Sequence, residues 1–308
     1  MGIAIIGTGA IAQVHAEALI SAGVPISAVS GVDQLQVNEF AERFKVESRY
    51  ENSEELLASE QVTSAIIATP SQFHSQLTIA ALERNKPVLC EVPLSLDFNS
   101  FEEVNRAAEG SRAFAAVAQT LRYSEPHLRL KEILSEISLK SLNVLIRNLM
   151  FRQENIGWTG VRRTWTDSVL WHHGSHALDL AAWLLDSDVI ETEVRIGPPW
   201  TNNQVMEVSG FLRSSAGHTA TVILSYHSRI PYNDLVAITD TDTFEISKGI
   251  LFRNEKAILS PAEGSDAFLD AVLRQDLAFL KAVKSGDLSD VVRVQQLEQL
   301  HGWLAQSK

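Results

Sequence analysis

Gly2-Ile3-Ala4-Ile5-Ile6-Gly7-Thr8-Gly9-Ala10-Ile11-Ala12 decides the fold of the amino-terminal half. The apolar run stops at Gly7, and apolar residues then recur at helical spacing, which predicts a strand, a glycine turn and a helix. Gly7 permits the tight turn, Gly9 lets the backbone approach a pyrophosphate, and Ala12 keeps the helix close to the strand. The stretch therefore predicts a dinucleotide-binding Rossmann domain, with these cofactor-binding residues: Gly7, Thr8, Gly9, Ala10 and Ile11.

The end of the next predicted strand, residues 26–30, bears on which dinucleotide is bound. An acidic residue at this tip would accept hydrogen bonds from the ribose of NAD and repel the 2′-phosphate of NADP. Ser30 and Gly31 leave room for that phosphate, although no arginine follows to bind it, and Asp33 could still serve NAD. We expect NADP, with both Ser30 and Gly31 contacting the cofactor, and NAD stays possible.

Two further apolar runs, residues 65–68 and 87–90, predict buried parallel strands. In an open α/β sheet, ligands bind outside the carboxyl ends of the strands. We therefore expect the residues after these runs to face the cofactor: Thr69, Pro70, His74, Glu91 and Pro93.

Length, charge and cysteine content narrow the class of protein. A chain of 308 residues suits two domains, which we place at 1–119 and 120–308. The net charge of -12 argues against a nucleic-acid partner, because such binding needs clustered lysine and arginine. The single Cys90 suits a reducing compartment, and no stretch has the length of a membrane span, so we expect a cytoplasmic protein.

The order of these motifs, GxGxxA, then Ala-Thr-Pro-x-x-x-His at 68–74, then Cys90-Glu91-x-Pro93, resembles the Gfo/Idh/MocA family. That resemblance implies an NAD(P)-dependent oxidoreductase acting on a CH–OH group. In the family the last motif normally reads Glu-Lys-Pro, and its lysine helps to polarise the reacting hydroxyl. Val92 stands there in this chain and cannot donate a proton. Either the proton chemistry lies elsewhere or the chain is a non-catalytic sensor of NAD(P).

The carboxyl-terminal half changes to long alternating segments at residues 141–151, 206–213 and 218–227, which predict a largely antiparallel sheet. We thus expect an α/β protein: a Rossmann domain followed by a substrate-binding and dimerisation α+β domain with a large, mostly antiparallel sheet. One face of this sheet could cover the nicotinamide, and the other face could contact a second subunit. The family resemblance implies a homodimer.

Three histidines, His172, His173 and His176, fall within five residues of a segment that Thr166, Asp167 or Ser168 could cap as a helix. His172 and His176 then share a face. These histidines could be ordinary core residues, zinc ligands or an acid and base. Zinc is disfavoured because the HExxH glutamate is absent, and we predict no metal. As catalytic residues they would fill the role that Val92 vacates, with His176 as base and His172 or His173 orienting it.

The string Arg-Arg-x-Trp-Thr-Asp followed by Leu-Trp-His-His-x-x-His resembles family members that oxidise a carboxylated semialdehyde as its cyclic hemiacetal. This resemblance implies a carboxylated small-molecule substrate from aromatic breakdown. Arginine pairs bidentately with carboxylates, so we expect the substrate to contact Arg122, Arg152, Arg163 and Trp165. A sugar or polyol dehydrogenase of the same family is the alternative.

Overall fold

The computed structural model describes residues 2–156 and 168–307, with Asn202 described in its backbone alone. The chain divides into two units, each built from two separate runs of sequence. The first unit comprises Met1–Thr120 and Phe268–Glu298, and the second comprises Leu121–Ala267 and Gln299–Lys308. No helix in the described part of the chain is long and apolar enough to cross a membrane.

The first unit is a Rossmann domain, as the sequence predicts. Its six strands are all parallel and run in the order β3-β2-β1-β4-β5-β6. The order reverses between β1 and β4, and dinucleotides bind at such a reversal. The strands are β1 (Ile3–Ile6), β2 (Ile26–Ser30), β3 (Ser48–Tyr50), β4 (Ser64–Ile67), β5 (Val88–Cys90) and β6 (Ala115–Val117).

Helices flank this sheet and begin where the sequence supplies caps. Asp33 accepts hydrogen bonds from the first amides of α2, and Asp97 does the same for α5. The helices of the described residues are α1 (Ala10–Ser21), α2 (Gln34–Phe44), α3 (Ser53–Ala58), α4 (His74–Glu83), α5 (Phe98–Gly110), α6 (Glu125–Glu136), α7 (Ser175–Leu185), α8 (Ala267–Ser285) and α9 (Glu298–Ala305).

Residues 268–298 belong to the first unit, which differs from the predicted boundary between 1–119 and 120–308. The reason is apolar burial, because Phe279 and Ala282 of α8 pack in one core with Leu19 of α1 and Ile5 of β1. A division by motif alone assigns the end of the chain to the second domain. The helical pattern of this segment predicts a helix but does not indicate which core the helix packs into.

The second unit is built on an eight-stranded sheet in the order β14-β13-β12-β11-β7-β10-β9-β8. β7 and β10 pair in parallel and the other neighbours are antiparallel, which confirms the predicted mostly antiparallel sheet. The strands are β7 (Leu142–Phe151), β8 (Val189–Ile196), β9 (Glu207–Ser214), β10 (Thr219–Ser225), β11 (His227–Thr239), β12 (Thr243–Ser247), β13 (Ile250–Arg253) and β14 (Lys256–Leu259).

Candidate functional site

The turn after β1 has the geometry that a phosphate-binding loop requires. Gly7 adopts a φ of +116°, and a Cβ there would lie 2.3 Å from the Ala68 carbonyl oxygen, so only glycine fits. Gly9 is the N-cap of α1, and a Cβ built on it meets no atom within 4 Å in the described chain. The amides that begin α1 therefore border open space, where a helix N-terminus favours an anion.

Three strands of the first unit end in a buried polar atom that has no hydrogen-bond partner in the described part of the chain. These atoms are Ser30 Oγ at the end of β2, Thr69 Oγ1 beyond β4 and Gln119 Oε1 beyond β6. Unsatisfied buried polar atoms are costly, and a ligand with hydroxyl, amide and phosphate groups would satisfy them. The residues present therefore fit a dinucleotide. Sequence reasoning selects Ser30 and Thr69 but misses Gln119, although it too follows a strand.

The predicted cofactor residue His74 joins two strand ends. Its ring is buried, with Nδ1 2.7 Å from the Pro93 carbonyl oxygen and Nε2 2.8 Å from that of Thr69. Only the doubly protonated ring can donate to two carbonyl oxygens. Burial lowers the pKa of His74, but the Cys90 sulfur and the two carbonyls outweigh burial and raise it to about 9. His74 is thus a buried cation between the ends of β4 and β5.

A second buried histidine, His15 on α1, lies between two carboxylates of the same unit. Nδ1 is 2.8 Å from an Asp276 oxygen, and Nε2 is 2.9 Å from Glu91 Oε1. Burial lowers the pKa of His15, but Asp276 and Glu91 outweigh burial and raise it to about 10. Sequence reasoning selects Glu91 but misses its partners His15 and Asp276. The available signal is a histidine on the apolar side of α1, where a buried polar ring needs partners.

Asp33, the acidic residue near the end of β2, already has hydrogen-bond partners within the protein. The Asp33 carboxylate accepts hydrogen bonds from the amides of Leu35 and Gln36, which begin α2. A Cβ at Gly31 would lie 3.1 Å from a Val37 methyl group, so the backbone is closely packed there. Ser30 and Gly31 therefore place no carboxylate at the strand tip itself.

In the second unit the three predicted catalytic histidines lie on one helical segment that begins with a wide turn. Residues Leu170–Gly174 are π-helical, because the Gly174 amide donates to the Val169 carbonyl, five residues back. The regular α7 follows. This differs from the single α-helix that the spacing predicts. Ser168 contributes its backbone carbonyl to the His172 amide, and Thr166 and Asp167 lie outside the described residues. π-helical turns of this kind are frequent at functional sites.

The wide turn brings the imidazoles together. The ring of His172 lies 4.7 Å from that of His173 and 6.1 Å from that of His176, centroid to centroid. His173 Nδ1 hydrogen-bonds with the Tyr226 hydroxyl at 2.9 Å. Burial lowers the pKa of His173, and the neighbouring histidines and Arg152 lower it further. His173 is therefore neutral at physiological pH. Tyr226 is a member of this cluster that sequence reasoning misses.

Arg152, a predicted substrate contact, adjoins the same cluster. Its guanidinium carbon lies 5.4 Å from the centre of the Tyr226 ring, and Nη2 donates to Asn155 Oδ1. Nε is buried and has no hydrogen-bond partner among the described residues. The second unit thus brings together three imidazoles, a phenol and a guanidinium. Such a set can move a proton and hold a carboxylate.

Arg122, another predicted substrate contact, binds a carboxylate of the protein. Nε and Nη2 donate to the two oxygens of Asp179 at 2.8 and 2.6 Å. Burial raises the pKa of Asp179, and the Arg122 charge opposes that shift. The pair joins the helix α7, which carries His176, to the segment before α6.

Two of the predicted substrate contacts, Arg163 and Trp165, lie outside the described residues. Among residues 2–156 and 168–307, no three His, Cys, Asp or Glu side chains are grouped so that they could hold a metal ion.

Family models match both units. The model described as "Oxidoreductase family, NAD-binding Rossmann fold" matches residues 1–119, and "Bacterial oxidoreductases, C-terminal" matches residues 125–258. The chain belongs to the Gfo/Idh/MocA oxidoreductase family. It is an NAD(P)-dependent oxidoreductase acting on a CH–OH group.

Several relatives have named activities. The 4-carboxy-2-hydroxymuconate-6-semialdehyde dehydrogenase of Sphingobium sp. (strain NBRC 103272 / SYK-6) is 27% identical over 293 residues, 93% of this chain and 91% of that protein. The inositol 2-dehydrogenase of Rubrobacter xylanophilus is 29% identical over 198 residues, 63% of this chain and 55% of that protein.

A solved structure shares the whole fold. The oxidoreductase from Agrobacterium radiobacter in complex with NAD+, L-tartaric acid and magnesium superposes with a TM-score of 0.79 at 18% identity, covering 100% of this chain and 95% of that one.

The buried cation at His74 predicts a loss of stability at alkaline pH. The pKa rises from 6.5 to about 9 on folding, so the stabilisation is complete below pH 6.5 and is lost as the pH rises through 9. We expect the free energy of unfolding to fall by about 3 kcal/mol more over this range in the wild type than in His74→Gln. Urea denaturation, followed by circular dichroism at several pH values, measures this free energy of unfolding.

His227→Gln, which removes a histidine from the second unit, is the control and should retain the wild-type slope. An equally steep slope in His74→Gln would show that the His74 ring is not charged in the folded protein.

Proposed function

We propose that this enzyme oxidises a carboxylated cyclic hemiacetal of the 4-carboxy-2-hydroxymuconate-6-semialdehyde type, with NADP as hydride acceptor. The observation that carries the proposal is the cluster of His172, His173 and His176 with Arg152 in the second unit. The relative named for this semialdehyde is 27% identical over 93% of the chain, whereas a myo-inositol 2-dehydrogenase is 23% identical over the same share of the chain. Support therefore extends over the second unit as well as the first.

The reaction removes a hydride from the hemiacetal carbon and a proton from its hydroxyl. A bound nicotinamide dinucleotide supplies the hydride acceptor, and the chain must supply the proton acceptor. Val92 cannot accept a proton, and His173 is engaged by the Tyr226 hydroxyl. We assign proton acceptance to His176, with His172 beside it and His173 held by Tyr226 as the positioning partner.

A dicarboxylate substrate also needs cations. Arg152 presents a buried Nε that no described residue satisfies, and a guanidinium binds a carboxylate bidentately. We assign one substrate carboxylate to Arg152, and propose Arg122, Arg163 and Trp165 as further contacts. A neutral polyol would leave the Arg152 charge without an anion, which disfavours the sugar or polyol alternative.

Turnover on matched substrates tests the proposal. We expect a dicarboxylated cyclic hemiacetal to be oxidised with a kcat/KM at least about a hundredfold above that of myo-inositol or glucose. Arg152→Gln should raise KM for the hemiacetal by tenfold or more and leave KM for a neutral polyol unchanged, because only the former loses a charged partner.

Arg195→Gln, which alters an exposed arginine of β8, is the control and should change neither constant. Strong polyol oxidation without hemiacetal turnover would establish the alternative activity. Cofactor binding without turnover of any substrate would support a sensor.

We propose NADP because the end of β2 carries no carboxylate and Asp33 is engaged at the start of α2. Val32 is fully exposed beside Gly31, so its replacement leaves the fold intact. We expect wild-type enzyme to bind NADP+ more tightly than NAD+, and Val32→Asp to weaken NADP+ about tenfold through repulsion of the 2′-phosphate. Isothermal titration of both cofactors measures the ratio.

Val32→Asn has the same shape without the charge and should behave as wild type. Tighter binding of NAD+ than of NADP+ by the wild type would contradict the proposed cofactor.

We further propose that the enzyme is a homodimer through the open face of the second unit's sheet. Ile223 of β10 and Ile238 of β11 lie on the same face, on either side of β7, and are 38% and 47% exposed. The opposite face carries buried residues of the same strands, such as Val222 and Ala237. An open sheet face with exposed isoleucines is typical of a protein interface.

The double variant Ile223→Lys and Ile238→Lys should be monomeric in sedimentation equilibrium, because two buried lysines would face the partner subunit. Leu277→Lys, at an exposed leucine of α8, should stay dimeric. A monomeric wild type, or a double variant that remains dimeric, would contradict this interface.

A further inference from the structure

The first unit has a cleft of about 270 Å³ at the amino end of β6, the last strand of its sheet. Phe114, which directly precedes β6, and Leu288, which follows α8, line this cleft. The segment after α8 runs antiparallel to β6, with Arg293 paired to Ala116. Dinucleotides bind outside the carboxyl ends of the strands. The cleft therefore lies at the opposite edge of the sheet from the cofactor.

Two arginines, Arg112 and Arg293, line the cleft together with the amide of Gln295. Several arginines elsewhere in the described chain pair with a carboxylate, as Arg147 does with Asp234. Neither Arg112 nor Arg293 forms such a pair with a described residue, and none of the described residues that line the cleft is acidic. The walls of the cleft thus supply two positive charges and no negative one.

The Arg293 guanidinium also has an unused hydrogen-bond donor. Its Nε atom is buried and has no partner in the described part of the chain. A buried donor without a partner is costly, and a guanidinium donates two parallel hydrogen bonds to a carboxylate. Asp287 lies next to the cleft in sequence, but its carboxylate accepts the Ser289 amide and is not one of the lining groups. The Arg293 Nε atom is therefore suited to an anion from outside the chain.

The remaining walls of the cleft are apolar and suit a ligand with a hydrocarbon body. They are formed by Ala108, Ala113, Phe114 and Leu288. An apolar cavity of about 150 Å³ holds benzene, so this cleft has room for a ring that bears a carboxylate. Apolar walls with a few convergent polar groups are typical of small-molecule sites.

We propose that this cleft is a second ligand site, which binds a small organic carboxylate with an apolar body. Arg112 and Arg293 bind the carboxylate, and Phe114 and Leu288 contact the body. The cleft and the phosphate loop lie at opposite edges of one sheet, so both ligands are bound at the same time and the carboxylate is not the substrate. The inference uses no residue of the proposed substrate site and does not depend on which substrate the enzyme oxidises.

Benzoate is the probe, and isothermal titration measures its binding. NADP+ or NAD+, whichever binds more tightly, is kept at saturation so that the phosphate loop is occupied. We expect a dissociation constant of about 1 mM or below. Arg112→Gln removes the charge of an exposed side chain and should weaken binding about tenfold or more. Benzamide, which keeps the ring without the charge, should bind the wild type about tenfold more weakly than benzoate.

Two other arginine variants show where benzoate binds. Arg106→Gln alters an exposed arginine of α5 that does not line the cleft, and it should retain the wild-type affinity. Arg152→Gln alters the proposed substrate site and should also retain it. Binding that is lost in Arg152→Gln and kept in Arg112→Gln would place benzoate in the substrate site and overturn the proposal. A wild type that does not bind benzoate would overturn it as well.

Gln295→Glu tests the same site without removing an arginine. Gln295 is exposed, so the substitution leaves the fold intact. The new carboxylate would pair with the two guanidinium groups and compete with the ligand, so benzoate affinity should fall about tenfold or more. Wild-type affinity in Gln295→Glu would contradict the assignment of Arg112 and Arg293 to the carboxylate.

Discussion

The contact of the His74 imidazolium with two carbonyl oxygens is the interaction on which the carboxyl edge of the first unit's sheet depends. The imidazolium donates to the carbonyls of Thr69 and Pro93. These two contacts join the segments that follow β4 and β5 and fix the distance between them. A buried cation is stable only with such partners, so the strand ends and the charge stabilise each other. His15 of α1 contacts the same strand end, because its Nε2 atom hydrogen-bonds with Glu91, the residue that follows β5. The residues around Val92 are therefore positioned before any ligand binds.

Val92 stands where the sequence resemblance implies a lysine. A lysine there would supply both a proton-transfer group and a cation beside Glu91, and valine supplies neither. We propose that proton transfer falls to the histidines of the second unit, where burial and the neighbouring His172, His176 and Arg152 lower the pKa of His173.

Local patterns predict the fold well, because each pattern is a property of a short segment. Examples are the first strand, the glycine turn after it and the alternating apolar residues of the second unit's sheet. The bounds of β2 are predicted without error at residues 26–30. The rest depends on contacts between distant residues. His15 and Asp276 are 261 residues apart, and nothing near either marks its partner. The π-helical turn at residues 170–174 likewise depends on one backbone hydrogen bond that helical periodicity does not encode.

We propose that an imidazole of the second unit accepts the substrate's proton in place of the residue at position 92. The pH dependence of the hydride-transfer rate in single turnovers, compared between wild type and His176→Asn, measures this most directly. We expect the wild-type rate to rise with pH to a plateau as one group loses its proton. In the variant this inflection should disappear, with a rate loss of about a hundredfold or more. The same inflection and a similar rate in His176→Asn would contradict it.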